Sequence, residues 1–172
     1  MRMAQTIGGW LLVLTSSVAA QAAEGRFGWL GLAPAEAGNT LVQAEAALGA
    51  ALQPAGAVPK DAAGCHSRQA PSQPGVSYIV NQGVIARVET RDPRYATVRG
   101  VRVGDEVKRV KQVYGQRLSV RAHPYFNRGL ILAVYSPDRK FALVMESNDA
   151  GRIVTLRGGL VPAVEYLEGC SA

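Results

Sequence analysis

Two histidines, two cysteines and a clustered set of basic side chains are the groups in this sequence that could do chemistry. Their spacing restricts each of them. His66 directly follows Cys65, and His123 precedes Pro124 at the end of an expected strand. A histidine there could serve as a general acid or base, and Ser119 alternates onto the same strand face. That keeps a small hydrolase using His123 as one alternative. No GxSxG, HExxH, phosphate-loop or dinucleotide fingerprint accompanies it, so no catalytic residue is assigned and no cofactor is expected. Two cysteines with His66 and His123 at this spacing do not make a zinc set. Asn148-Asp149-Ala150-Gly151 lacks the further acidic ligands of a calcium loop and reads as a hairpin turn, so no metal is expected.

The basic residues are unevenly spread. Between Arg87 and Arg128 stand 11 lysines and arginines against four acids, Glu89, Asp92, Asp105 and Glu106. Lys108, Arg109 and Lys111 on an expected helix, with Arg117, Arg121 and His123 on one face of the strand after it, form a candidate face for phosphate or carboxylate groups. The plainer alternative is a solvated basic surface. Aromatic residues are 6% of the chain and rarely interleave with the basic ones, so nucleic acid is not an expected partner. An envelope protein or an anionic envelope polymer, such as glycolipid or peptidoglycan carboxylate, suits the compartment argued next.

Arg2 followed by the mostly apolar run from Ile7 to Ala20, and then Ala20-Gln21-Ala22, has the layout of an export leader cut after Ala22. The run is shorter than the roughly 20 apolar residues a membrane span takes. An ordinary buried helix is the alternative. Export predicts a periplasmic or secreted protein with no transmembrane segment in its mature part. In an oxidising compartment Cys65 and Cys170 read as one disulfide, with two buried thiols as the alternative. The absence of CxxC excludes a thioredoxin-like active site.

The elements that must position these groups are written twice. Residues 31–49 run from Gly-Leu through a loop into an amphipathic stretch ending Ala-Leu-Gly, and residues 100–115 run from Gly-Val to Val-Tyr-Gly. SYIVNQGVIARVET (77–90) is similar to FALVMESNDAGRIVTL (141–156), and three glycine pairs are offset by 69, 66 and 68 residues. Offsets this long indicate a duplicated small domain rather than a solenoid. Thr40 through Gln43 has capping-box spacing, and Asp105 is the expected cap of a second helix carrying Val107, Val110 and Tyr114 on one face. Helices are expected over about 40–49 and 105–114. Period-two alternation over 117–123 and strands near 130–135, 141–146 and 152–156 follow, separated by turn residues. The segment 53–76 reads as irregular. The expected class is α+β, as two tandem repeats (23–96 and 97–172) of a short helix on an antiparallel meander, after a leader at 1–22.

A Gly-hydrophobic-x-x-Gly start, a short helix ending in Leu-Gly or Tyr-Gly, and an antiparallel sheet resemble the small outer-membrane assembly lipoproteins. In tandem and behind a leader, the same unit is similar in plan to secreted β-lactamase-inhibitor proteins. Two features differ: one cysteine pair spans both halves, and the chain lacks the aromatic-rich sheet by which such inhibitors bind. The resemblance implies a fold and carries over no binding residue. The expected function is a non-catalytic, exported binding or inhibitory protein of the cell envelope, with an outer-membrane assembly factor as a further alternative.

Overall fold

The computed structural model describes residues 25–56 and 64–171. The expected leader at 1–22 lies outside the described residues. Short strands open the chain: β1 (Arg26–Gly28), β2 (Gly31–Leu32) and β3 (Ala35–Glu36), before α1 (Leu41–Leu48). Next come β4 (Gln53–Pro54), β5 (Cys65–Gln69), β6 (Val76–Asn81), β7 (Val84–Thr90) and β8 (Ala96–Thr97). The rest is α2 (Val107–Tyr114), β9 (Ser119–Ala122), β10 (Leu130–Tyr135), β11 (Phe141–Ser147) and β12 (Ile153–Leu160). The class is α+β, with two sheets and two short helices. No described helix is long and apolar enough to cross a membrane.

The larger sheet has eight strands in the order β4-β5-β6-β7-β12-β11-β10-β9, every neighbour antiparallel. Its centre is the long-range pair β7–β12. A smaller sheet, β3-β2-β1-β8, lies against it, and the expected boundary at 96/97 falls inside β8. There the β1–β2 hairpin crosses β12 so closely that a Cβ on Gly158 would lie 2.3 Å from the Gly28 oxygen and the Gly31 nitrogen.

Both helices form where local sequence favours them. Thr40 Oγ1 accepts from Gln43 N at 3.2 Å and Gln43 Oε1 from Thr40 N at 2.9 Å, completing the capping box. Gly49, at φ 67°, ends α1. Leu52 lies beyond that stop, yet is buried. The cap of α2 is Glu106, not Asp105. Asp105 instead accepts from Arg102 N and pairs with Arg109. In α2 the stripe of Val107, Val110 and Tyr114 packs on the sheet face that carries Tyr78, Leu132, Val134, Leu143 and Leu156.

Each helix start is tied to a hairpin by the same three backbone bonds. Leu41 N donates to Gly83 O (2.8 Å), as Val107 N does to Gly151 O (3.0 Å). Ile85 N donates to Asn39 O (2.8 Å), as Ile153 N does to Asp105 O (2.8 Å). Gly38 N donates to Ile85 O (2.9 Å), as Gly104 N does to Ile153 O (2.7 Å).

The segment expected to be irregular contains β5, which pairs with β6 along its whole length. Its residues Cys-His-Ser-Arg-Gln lack apolar alternation, because pairing and the disulfide hold the strand rather than a hydrophobic face.

Candidate binding site at the end of the sheet

The side of the larger sheet away from the helices is closed, and it sets buried charges beside an apolar cluster. Arg87 and Arg157, from the two central strands, are each 2% exposed. Arg87 Nη2 lies 2.8 Å from Glu89 Oε2, Arg157 Nε lies 3.7 Å from the same oxygen, and Arg157 also pairs with Glu146. Burial lowers both guanidinium pKa values, that of Arg157 to about 10, above neutral pH. The Nη1 donors of both go to the chain's own C-terminal strap, residues 161–171. Arg157 Nη1 donates to Tyr166 O at 2.8 Å and Val164 O at 3.4 Å, and Arg87 Nη1 donates to Tyr166 O as well.

Val164 plugs a second apolar cluster with Ile131, Ala133, Ala142 and Val144. The Tyr135 and Tyr125 hydroxyls donate to Glu165 and Glu168, so these two acids fasten the strap. The Cys65–Cys170 disulfide, with Cα atoms 5.2 Å apart, pins its end to β5.

His123 belongs to this closed face and is not a surface cation. It is buried, Nδ1 accepts from Tyr125 N at 3.1 Å, and Nε2 lies 3.6 Å from Glu146 Oε2. Its ring rests 4.6 Å from that of Phe126. Burial first, and then the charges of Arg157 and Arg121, push its pKa below the usual histidine value. Ser119 is four residues back along the strand, roughly 13 Å at the normal rise, too far for proton transfer.

The remaining residues of the expected basic face do not form one patch. Arg121 is opposite Ile131 in the sheet, so it shares the strap's side. Val110 and Tyr114 of α2 pack on the other side with Leu132 and Val134. Lys108, Arg109 and Lys111 are therefore separated from Arg121 by the sheet, and Arg109 is engaged with Asp105 at 3.1 Å. Arg117, in the link between α2 and β9, reaches the sheet end.

There Arg117 meets groups that sequence reading did not single out. A cleft of about 660 Å³ is walled by Trp29, Arg117, Ser119, Tyr135 and Arg139. Arg139 Cζ sits 4.3 Å over the Tyr135 ring. The Tyr135 pKa is raised, chiefly by its hydrogen bond to Glu165 and then by burial. A second cavity of about 260 Å³ shares Trp29 and Arg117 and continues between Val98, Tyr114, Val134 and Leu143, with Arg99 at its side. Among the described residues, no carboxylate lines either space, and neither Arg117 nor Arg139 takes part in an ion pair.

Arg139 adopts φ 58°, in the left-handed region. That conformation costs a side-chain-bearing residue about 1–2 kcal/mol, and glycine would avoid the cost. The only sequence signal for this was an arginine in the turn after Ser136-Pro137-Asp138. The chain matches no family model, no curated protein and no solved structure.

Proposed function

We propose that this chain is an exported, non-catalytic binding protein of the cell envelope that holds an anionic partner at the sheet end, around Arg117 and Arg139. One observation carries the reading: two exposed arginines without ion pairs flank an exposed tryptophan and a half-buried tyrosine, and no carboxylate shares the cleft among the described residues. Such a site attracts negative charge and offers forked donors to phosphate or carboxylate oxygens. The neighbouring Arg121 adds to the field.

The duplicated plan supports a binding scaffold of the inhibitor-like kind. The three paired hydrogen bonds at the helix starts, the positive φ of Gly49 and Gly115 after the helices, and that of Gly83 and Gly151 in the hairpins favour two copies of one unit. The disulfide is compatible with a location outside the cytoplasm. Against the hydrolase alternative stands the burial of His123, which is held by a backbone amide and lies roughly 13 Å along the strand from Ser119.

The test is sedimentation of the purified protein with peptidoglycan sacculi and with vesicles of anionic or neutral lipid, at two salt concentrations. Binding to an anionic surface should weaken with salt and with Arg117→Ala plus Arg139→Ala, and persist in Lys108→Ala plus Lys111→Ala. Binding that ignores the two arginines would overturn the assignment.

A further inference from the structure

The smaller cavity says what the anionic partner carries. We infer that the site takes a single-chain anionic amphiphile, with its charged head between Arg117 and Arg139 and its apolar tail in the chamber behind Trp29. This rests on the function proposed above and narrows its ligand.

The two spaces share Trp29 and Arg117 as walls and differ in composition. The outer cleft sets Arg117, Arg139 and Ser119 beside Trp29, Leu118 and Pro137, whereas the inner chamber is walled chiefly by Val98, Tyr114, Val134 and Leu143. Trp29 and Arg117 belong to both, so a ligand that occupied the two spaces would exchange charge contacts for apolar ones at these side chains. Val134 and Leu143 are core residues, 5% and 2% exposed, so the chamber opens directly onto the hydrophobic core. Arg99 is held at its rim by a bond to Val113 O (3.2 Å), with its Cζ 5.8 Å from the Tyr114 ring centre.

Volume selects the tail. At about 30 Å³ for a water- or methylene-sized group, 260 Å³ holds on the order of eight such groups. One medium-length alkyl chain fits and a second does not, which points to a free single-chain amphiphile rather than a two-chain membrane lipid. The head is phosphate, sulfate or carboxylate, since arginine forks suit all three.

The backbone of Arg139 points to the same site. Its left-handed backbone holds the guanidinium over Tyr135 at the cleft wall. Glycine at this turn position would be easier to fold and useless for binding. Strain kept at a site marks it as a candidate for function.

The experiment is a chain-length series of alkyl phosphates and alkanoates, from one to twelve carbons and below their micelle concentrations, titrated into the full chain by calorimetry. Octyl glucoside serves as a neutral control. Affinity should rise by up to about fourfold per methylene and level off near eight carbons. Octyl glucoside should bind at least tenfold more weakly than octyl phosphate. Trp29 fluorescence should shift on binding, and Trp29→Phe should remove the shift.

Val98→Phe, at the exposed rim of the chamber, should abolish the chain-length dependence and leave methyl phosphate binding intact. Arg139→Gly should weaken every anion about tenfold while leaving the melting temperature unchanged or higher. Flat affinity along the series, with dependence on Arg117 and Arg139 retained, would overturn the tail and leave the anion-binding reading standing. Absence of binding by any anion, sacculi and vesicles included, would overturn both. Binding to anionic vesicles that octyl phosphate does not displace would overturn the free amphiphile.

Discussion

Replacing Cys65 and Cys170 together by alanine separates what the disulfide does from what the strap's own contacts do. The bridge spans a sequence separation of 105 residues. By the chain-entropy argument, closing such a loop removes unfolded-state freedom worth about 4–5 kcal/mol. The strap also holds itself. Val164 is completely buried, worth about 1.5–3 kcal/mol by area, and both buried arginines donate to strap carbonyls. The variant should therefore keep its fold and its docked strap while losing most of the cross-link contribution.

Thermal unfolding and equilibrium urea unfolding measure this. The melting temperature should fall by roughly 8–20 °C, and the urea m-value should rise, because an unlinked chain exposes more surface when it unfolds. Hydrogen exchange should find the β7 and β12 amides still protected in the folded variant. An unchanged midpoint and m-value would refute the claim that the bridge acts through the unfolded chain. Two free thiols in the unfolded, unreduced wild type would refute the bridge itself.

Two further outcomes follow from the closed face. Arg157→Met should destabilise the protein by about 3–5 kcal/mol, because Glu146 is left buried without its cation, and Arg157→Met with Glu146→Gln should recover a large part of that in urea unfolding. His123 titrates below the usual 6.5 in the folded state, so as pH falls below about 6.5 the unfolded chain takes up the proton first and stability declines. His123→Gln should flatten the stability slope between pH 7 and 5; an unaltered slope would contradict the burial argument.

Much of the local structure was legible in the sequence because local chemistry decides it. Thr40 and Gln43 announce a cap, Gly49 a stop, and runs set off by turn residues the strands β10 to β12. With only two cysteines in the chain, the bridge had one possible pairing. What depends on distant partners was not legible. β5 is a strand because β6 pairs with it, and Arg87 and Arg157 are buried because β7 meets β12 and a strap folds back over both. The basic face was half legible. The alternation that puts Arg121 and His123 on one side is local, but Arg117 lies in the turn before β9, and the side of the sheet that α2 covers is not local. Arg139 joins the site through a backbone angle that residue types do not specify.

The strap also determines which cations a partner can meet. Arg87 and Arg157 are each 2% exposed and bonded to strap carbonyls. A ligand reaching them would have to break those bonds and lift Val164 out of its cluster, and the disulfide keeps the displaced segment within a short reach of β5. It would also have to compete with Glu89 and Glu146, which already neutralise both guanidinium groups in a medium where charge pairs are strong. Arg117 and Arg139 ask for none of this. They stand at the sheet end, exposed and unpaired among the described residues, beside the exposed Trp29. The charge that holds the fold together and the charge offered to a partner are thus carried by different arginines. Substitutions at the first pair should be read in stability, and substitutions at the second in binding.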